Sequence, residues 1–477
     1  MTAVETTLSH ALAAFAARTA RRPLPPEVAD SVRDRVLDVL GLCVGALPLD
    51  TSAAALAYVR EQAGAGQAHV VGQPDRVPAA LAALANGVLA HSLDYDDTHL
   101  PSVLHPSASV VPAALAAAEA AGSDGTALLA AIATGLEVCV RLGMAGYDSD
   151  AKTSLFFEHG QHATSICGAV GSAVAAAMLL GLDEAGIGHA LGISVSMASG
   201  VIEANRTGGT VKRLHCGWAA HAGVSAAQLA AHGFTGPPAA LEGRFGFFQA
   251  HLHGRFDPAA ITDGLGERWE VPGIFFKPYP ANHFTHTIVD AAADLRAQGV
   301  TPEAVASLRV GVPASVVRTV GEPIERKRLP TTSYEAQFSG PYAAVVGLLG
   351  GGGLGAALSD YAPDLLTEPG RTALMAKTTV VADDECTEIF PHQFPCVLRA
   401  RTVDGREWTT KALVNRGGPD NPLTREELRT KFRENVTGLL APRAAEAVEA
   451  AVAGLGGAAT PGELMALVRT DRGNSRG

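Results

Sequence analysis

The sequence predicts a mainly α protein, with a large all-helical domain built from both chain ends and a smaller α+β domain inserted between them. Three observations carry this expectation. From about 26 to 233 the chain repeats Ala/Leu/Val-rich segments of helical length, each ended by glycine or a polar turn. After about Trp269 the pattern changes to short strand-like runs. Helical spacing returns at 423–433 and 444–455, so the chain goes back to the first domain and leaves the α+β part as an insertion. The expected divisions are therefore 1–268, 269–416 and 417–477.

Taken in order, the apolar opening at 11–17 follows Glu5 and precedes Arg18, Arg21 and Arg22, the reverse of the charge order of a secretory leader. It reads as an amphipathic first helix. Segments such as 126–143 and 183–198 continue the helical theme, and their alanine and glycine on many faces permit close helix approach. Such faces also suit a homodimer. In the insertion, 306–312, 377–381, 396–403 and 407–414 read as strands, the last two joined around Asp404-Gly405. Helices are expected at 283–298 and 334–349. The glycine run 350–353 has neither a preceding strand nor a Lys-Ser/Thr continuation, so it reads as a helix exit and not a phosphate loop.

Composition narrows the function. The 477 residues are 47% hydrophobic, enough for two or three ordinary cores. A net charge of -11 without a Lys/Arg run argues against a nucleic-acid groove or a polybasic membrane patch. The longest apolar stretches are interrupted by Glu119, Glu137 or Arg141, which argues against a membrane span. Six widely spaced cysteines without a Cys-x-x-Cys pair point to reduced, buried thiols in a cytoplasmic protein, and away from zinc or iron-sulfur sites.

Four clusters could carry chemistry. The segment His91, Asp94, Asp96, Asp97, Thr98, His99, followed by His105-Pro106-Ser107, crowds three carboxylates and three imidazoles together. Carboxylates orient imidazoles and raise their basicity, and a Thr hydroxyl can donate to a substrate oxygen. The bland reading is a helix end, with Asp97 and Thr98 as caps and Ser107 or Ser109 opening a helix over 110–121. A hard-metal site is the other alternative, although the spacing matches no ligand motif, so no metal is expected. The second cluster, His159-Gly-Gln-His162-Ala-Thr164, precedes a helix running to about Leu180 and is either an anion-favouring site or a capping turn with two exposed histidines. The third, 205–215, is a glycine-rich turn delivering Lys212 and Arg213 to a helix over 214–232. One of these cations could clamp a carboxylate while the other is ordinary surface. The fourth, Lys277-Pro-Tyr279-Pro280 with Asn282, His283 and His286, is a proline-stiffened approach to a helix, and equally an inter-domain linker. No nucleophile elbow, dinucleotide fingerprint or P-loop is present. What remains suits carboxylate binding and proton transfer with no cofactor, hence elimination, decarboxylation or epimerisation next to a carboxylate.

The run from Ala85-Asn86-Gly87 through His91 to Thr98 and His105-Pro-Ser107 resembles the leading signature of the MmgE/PrpD family. His162-Ala-Thr164, Val211-Lys-Arg-Leu-His215, Leu241-Glu-Gly-Arg-Phe-Gly246, Lys277-Pro-Tyr-Pro280 with His286, and Glu335-Ala-Gln-Phe-Ser339 agree in order. The resemblance implies a dimer of a helical domain with an α+β lid, acting on a small-molecule carboxylate without metal or iron-sulfur cluster. It also implies a pocket lined by Asp94, Thr98, His105, His162, Lys212 and Lys277. The family includes 2-methylcitrate dehydratases, cis-aconitate decarboxylases and an iminodisuccinate epimerase. Two features differ from the decarboxylase branch: the turn between Thr98 and His105 is longer, and Asn282, with His283 beside it, stands where that branch has a histidine. The expected activity is therefore dehydration of a 2-methylcitrate-like hydroxy acid, with decarboxylase and epimerase as alternatives. A catalytically silent helical dimer that binds a carboxylate or a protein is the non-enzyme alternative. The expected catalytic residues are His105, His162, Asp94 and Thr98, and the expected substrate-binding residues are Lys212, Lys277, His283 and His286.

Overall fold

A computed structural model describes residues 7–62, 64–204 and 208–469. The chain is mainly α, and its contacts divide it into two units, Met1–Ile274 with Asn435–Gly477, and Phe275–Glu434.

In the first unit, the helices Ala79–His91, Ser107–Ala121, Ala163–Leu179 and Val211–Ala231 pack on one another. They are apolar nearly all round, as helices enclosed by other helices must be. Two glycines let two of them touch. A Cβ on Gly217 would lie 2.4 Å from the Leu84 carbonyl oxygen, and one on Gly87 would lie 2.7 Å from the Gly217 Cα. This contact sits one turn before His91 and just after His215, so it fixes which helix ends meet. The helix Gly125–Ala145 is long and apolar enough to cross a membrane by length and composition, yet it is buried within this unit. Its Glu137 and Arg141 bond at 2.7 Å, and both reach backbone between Ile261 and Val271. Burial of a paired, fully bonded charge is tolerated where an unpaired one is not.

The unit is not purely helical. Ala68–His69 pairs with Arg76–Val77, and Tyr147–Asp148 with Thr153–Ser154. Strands of two residues are too short to show a period in sequence. The helix expected over 110–121 begins at Ser107, and Pro112 lies inside it.

The second unit holds a four-stranded sheet. Val305–Val312 lies between Thr378–Ala382, which is parallel to it, and the antiparallel Cys396–Thr402; Glu407–Ala412 completes the edge. The helices His286–Ala297 and Gly340–Leu349 pack together, and with the sheet they bury Ile288, Leu295, Leu308, Val310, Val345 and Leu398. The single helix expected over 334–349 is two, Ser333–Gln337 and Gly340–Leu349. The Ser339 side chain accepts from Tyr342 N and so starts a new helix, with Pro341 in its first turn. Gly350 ends that helix at φ 87.

The units meet the chain at other points than 268/269 and 416/417. Trp269 packs at a tilt against Phe15, ring centres 5.5 Å apart, and Glu137 binds the backbone of Glu270 and Val271, which keeps this stretch in the first unit. Leu423 and Leu428 pack on Phe276, which keeps 417–434 in the second.

Replacing Gly217 with alanine should destabilise the protein by about 1–3 kcal/mol, since a rigid backbone carbonyl occupies the new methyl's place. Gly273→Ala, where nothing lies within 4 Å, should change stability by less than about 0.5 kcal/mol. Urea denaturation of both variants checks this, and equal effects would contradict the close contact.

Candidate active site

The loop between Ala79–His91 and Ser107–Ala121 carries Asp94, Asp96, Asp97, Thr98, His99 and His105, and all but His105 are buried. Such a density of buried acids needs partners. Asp97 has them. Its Oδ2 accepts from Arg35 Nη1 at 3.0 Å and from the Ser107 hydroxyl, and its Oδ1 accepts from Ser107 N at 3.2 Å. The carboxylate thus caps the Ser107–Ala121 helix from outside it, which is why that helix starts earlier than periodicity suggests. Burial pushes the Asp97 carboxyl up to about 6 against the pull of Arg35. Arg35 also donates to the carbonyls of Val271 and Ile274, at 3.2 and 2.6 Å.

The backbone carbonyl of Asp97 accepts from His105 Nδ1 at 2.6 Å. An acceptor there requires Nδ1 to carry the hydrogen, so Nε2 is the ring atom that gains or gives a proton. Thr98 Oγ1 stands 3.4 Å from the same nitrogen, and His105 N donates to Thr164 Oγ1 at 3.2 Å. Two residues of this loop adopt left-handed backbone, Asp94 at φ 54 and Val103 at φ 55. Aspartate tolerates that region, but a β-branched valine is strained there. His99 and Leu104 close the turn by bonding each other's backbone.

Three further imidazoles continue from His105 in a chain of contacts. The His91 ring centre lies 5.7 Å from that of His105 and 5.8 Å from that of His162, and His91 Nδ1 donates to Asp96 Oδ2 at 2.7 Å. His162 and His215 meet through their Nδ1 atoms at 2.9 Å. Lys212 Nζ lies 3.1 Å from Asp94 Oδ1 at the start of the Val211–Ala231 helix. The first unit therefore gathers Asp94, Thr98, His105, His162 and Lys212. His162 is 2% exposed, which removes the reading of its turn as one with two exposed histidines. His159 instead donates from Nδ1 to the His251 carbonyl. Asn205, Arg206 and Thr207 of the third cluster lie outside the described residues.

Among the described residues, His91, Asp96 and Cys216 come closest to a metal ligand set, with one ligand atom each within 4.8 Å of the others. His91 Nδ1 and Asp96 Oδ2 bond each other directly, so these two atoms are already engaged with one another.

Lys277, His283 and His286 belong to the second unit, and all three are buried. His286 Nε2 donates to the Ala281 carbonyl at 3.1 Å, and its ring centre is 4.8 Å from that of His283 and 5.3 Å from that of Tyr279. His283 also packs edge-on against Phe275 and Phe394. The Tyr279 hydroxyl donates to Asp290 Oδ1 at 2.5 Å, which anchors the Lys277-Pro-Tyr-Pro segment. Asn282 Oδ1 accepts from Phe284 N at 3.1 Å and so caps the turn His283–Thr285.

Arg35 was not legible as a site residue, because it sits in the helix Pro26–Gly45 with no motif around it. His215 could have been found: it follows Lys212 by three residues, which places both on one helix face.

Imidazoles with assigned proton positions, buried carboxylates and a lysine at a helix start form an arrangement chemically suited to proton transfer and anion binding. The particular family follows from comparison with known proteins. The chain belongs to the MmgE/PrpD family, whose N-terminal domain matches residues 10–259 and whose C-terminal domain matches residues 279–456. It is 32% identical over 380 residues to the cis-aconitate decarboxylase of Homo sapiens, covering 78% of this chain and 76% of that protein. It is 25% identical over 464 residues to a cis-aconitate decarboxylase-like protein of Aspergillus oryzae, covering 93% and 94%. A cis-aconitate decarboxylase of Aspergillus terreus is 32% identical over 250 residues, about half of each chain.

Burial, with the Arg35 charge second, holds the His99 imidazole down to about 3 from its ordinary 6.5. The unfolded chain therefore takes up a proton below about pH 6.5 that the folded chain refuses until much lower pH. The stability this gives is full above 6.5 and is lost as pH falls toward 3. The stability difference between wild type and His99→Gln should shrink between pH 7 and pH 4 in urea titrations. A difference independent of pH would contradict a neutral, buried His99.

Proposed function

We propose that the protein is a lyase that removes a group next to a carboxylate of a small polycarboxylate, with decarboxylation of a cis-aconitate-like acid as its leading reaction. The observation that carries the chemistry is the His105 geometry, in which Nδ1–H is committed to the Asp97 carbonyl, so that the titrating nitrogen of this ring is Nε2. Relatives named as cis-aconitate decarboxylases, matched over most of the chain, support the choice of reaction. When a carbon–carbon bond to a carboxylate breaks, carbon dioxide leaves and the electron pair stays on the substrate carbon, which must then be protonated. His105 Nε2, in its protonated state, supplies that proton, and His162 is the second candidate. Lys212, oriented by Asp94, holds a substrate carboxylate through charge-assisted bonds. Thr98 supports the His105 ring. Lys277, His283 and His286 are the substrate-binding residues that the family resemblance implies.

Dehydration of a 2-methylcitrate-like hydroxy acid is the second reading, favoured by Asn282. Its side chain is a turn cap here, and the resemblance to the family sets it against a histidine of the decarboxylase branch. In that reaction neutral His105 Nε2 removes the proton beside the carboxylate, and a protonated partner assists departure of hydroxide.

The test is turnover of cis-aconitate, 2-methylcitrate and citrate by the purified, chelator-treated protein, following carbon dioxide and double-bond absorbance together. Carbon dioxide from cis-aconitate is the expected result, and new unsaturation from a hydroxy acid would select the second reading. His105→Ala should lower kcat by about 10²–10⁴-fold. Lys212→Ala should raise KM by about tenfold or more, the loss of a charged hydrogen bond. No turnover of any of the three acids, or a fully active His105→Ala variant, would overturn the assignment.

A further inference from the structure

His162 precedes the first turn of Ala163–Leu179, and His215 lies in the second turn of Val211–Ala231, a helix packed directly against it. Their Nδ1 atoms are 2.9 Å apart. Two ring nitrogens at that distance hold one hydrogen between them, one donating and the other accepting. If both rings are neutral, the donor ring has a lone pair at Nε2 and the acceptor ring has an N–H there. The contact thus imposes opposite tautomers on the two histidines, and moving the shared hydrogen across exchanges them.

We propose that His215 is a positioning residue for His162 and that the two form one proton-sharing pair serving the carboxylate chemistry, an inference that rests on the lyase reading above. The step balances without a further reactant. A proton bound at Nε2 of the donor ring is followed by passage of its Nδ1 hydrogen to Nδ1 of the other ring, which releases its own Nε2 proton. One N–H bond forms and one breaks on each ring, and both end neutral with tautomers exchanged.

The surroundings favour neutrality. The pair is buried, and the groups facing it are His91 with Asp96, His105, and Lys212 with Asp94. Burial first, then the charges of His91, His215, Lys212 and His105, holds His162 well below the ordinary imidazole range, and burial with His91 and Lys212 brings His215 down to about 4. His162 N also donates to the Gly200 carbonyl at 2.9 Å, so the backbone fixes where the ring starts.

The test uses full-length protein labelled with ¹⁵N-histidine, read by long-range ¹H–¹⁵N spectra at pH 7.5, with His215→Asn and His215→Ala as variants. Asparagine keeps a hydrogen-bonding amide near the place of Nδ1 but cannot pass a proton on. Wild type should show His162 and His215 neutral and in opposite tautomers, and His162 should lose its single tautomer in His215→Ala. Both variants should lose about 100-fold in kcat with KM within about threefold, and added imidazole should restore part of the His215→Ala loss. Identical tautomers in wild type, or wild-type kcat in His215→Asn, would overturn the proposal. The spectra need no substrate, so they decide the pair even if the carboxylate assay fails. If His215→Ala does not fold, the wild-type spectra and His215→Asn decide it alone.

Discussion

The buried ion pair between Arg35 and Asp97 is the constraint on which the candidate site depends. One carboxylate receives a guanidinium, the hydroxyl of Ser107 and the first amide of the helix that follows, so its position is determined from three directions. The same residue's carbonyl orients His105. The other arm of Arg35 holds the backbone at Val271 and Ile274, where the chain leaves the first unit. A charge taken wholly out of water is costly unless it is paired and bonded. Nearly every polar group of Arg35 and Asp97 is used, which makes the arrangement specific even if its net contribution to stability is modest.

From that anchor the chemistry follows. A dry setting keeps imidazoles neutral and strengthens each hydrogen bond made to them. Proton positions then become a property of the structure: carbonyls fix the tautomers of His105 and His286, and Asp96 fixes that of His91. Lys212 adds positive charge at the edge of this cluster, balanced by Asp94 and 17% exposed, so a second carboxylate can reach it. Left-handed backbone at Asp94 and Val103, strained at the β-branched valine, lies in the loop that carries these groups, as expected where side-chain placement outweighs backbone comfort.

Much of the fold was legible because its signals are long. Helices such as Gly125–Ala145 and Val211–Ala231 repeat their period over several turns, and the hairpin of Cys396–Thr402 with Glu407–Ala412 is announced by Asp404-Gly405. Short or tertiary features were not. The two-residue ribbons have no period, and the break between Ser333–Gln337 and Gly340–Leu349 needed Ser339 and Pro341 to be read as a cap and not as interior residues. In the site, His105, Asp94 and Lys212 stood out because unusual residues were crowded in sequence. Arg35 did not, since its partner is 62 positions away and nothing local to the Pro26–Gly45 helix marks it. His215 was visible in its motif but had no assigned part until the packing of two helices set it against His162.

The claim that one buried pair organises the site is tested most directly by a double-mutant cycle in urea, with Arg35→Met, Asp97→Asn and the combined variant. Each single change should cost about 3–5 kcal/mol, because it strands a buried partner. The combined variant should be more stable than the sum of the two predicts by at least about 2 kcal/mol. Simple additivity would mean that the two residues act independently and that something else holds the loop in place.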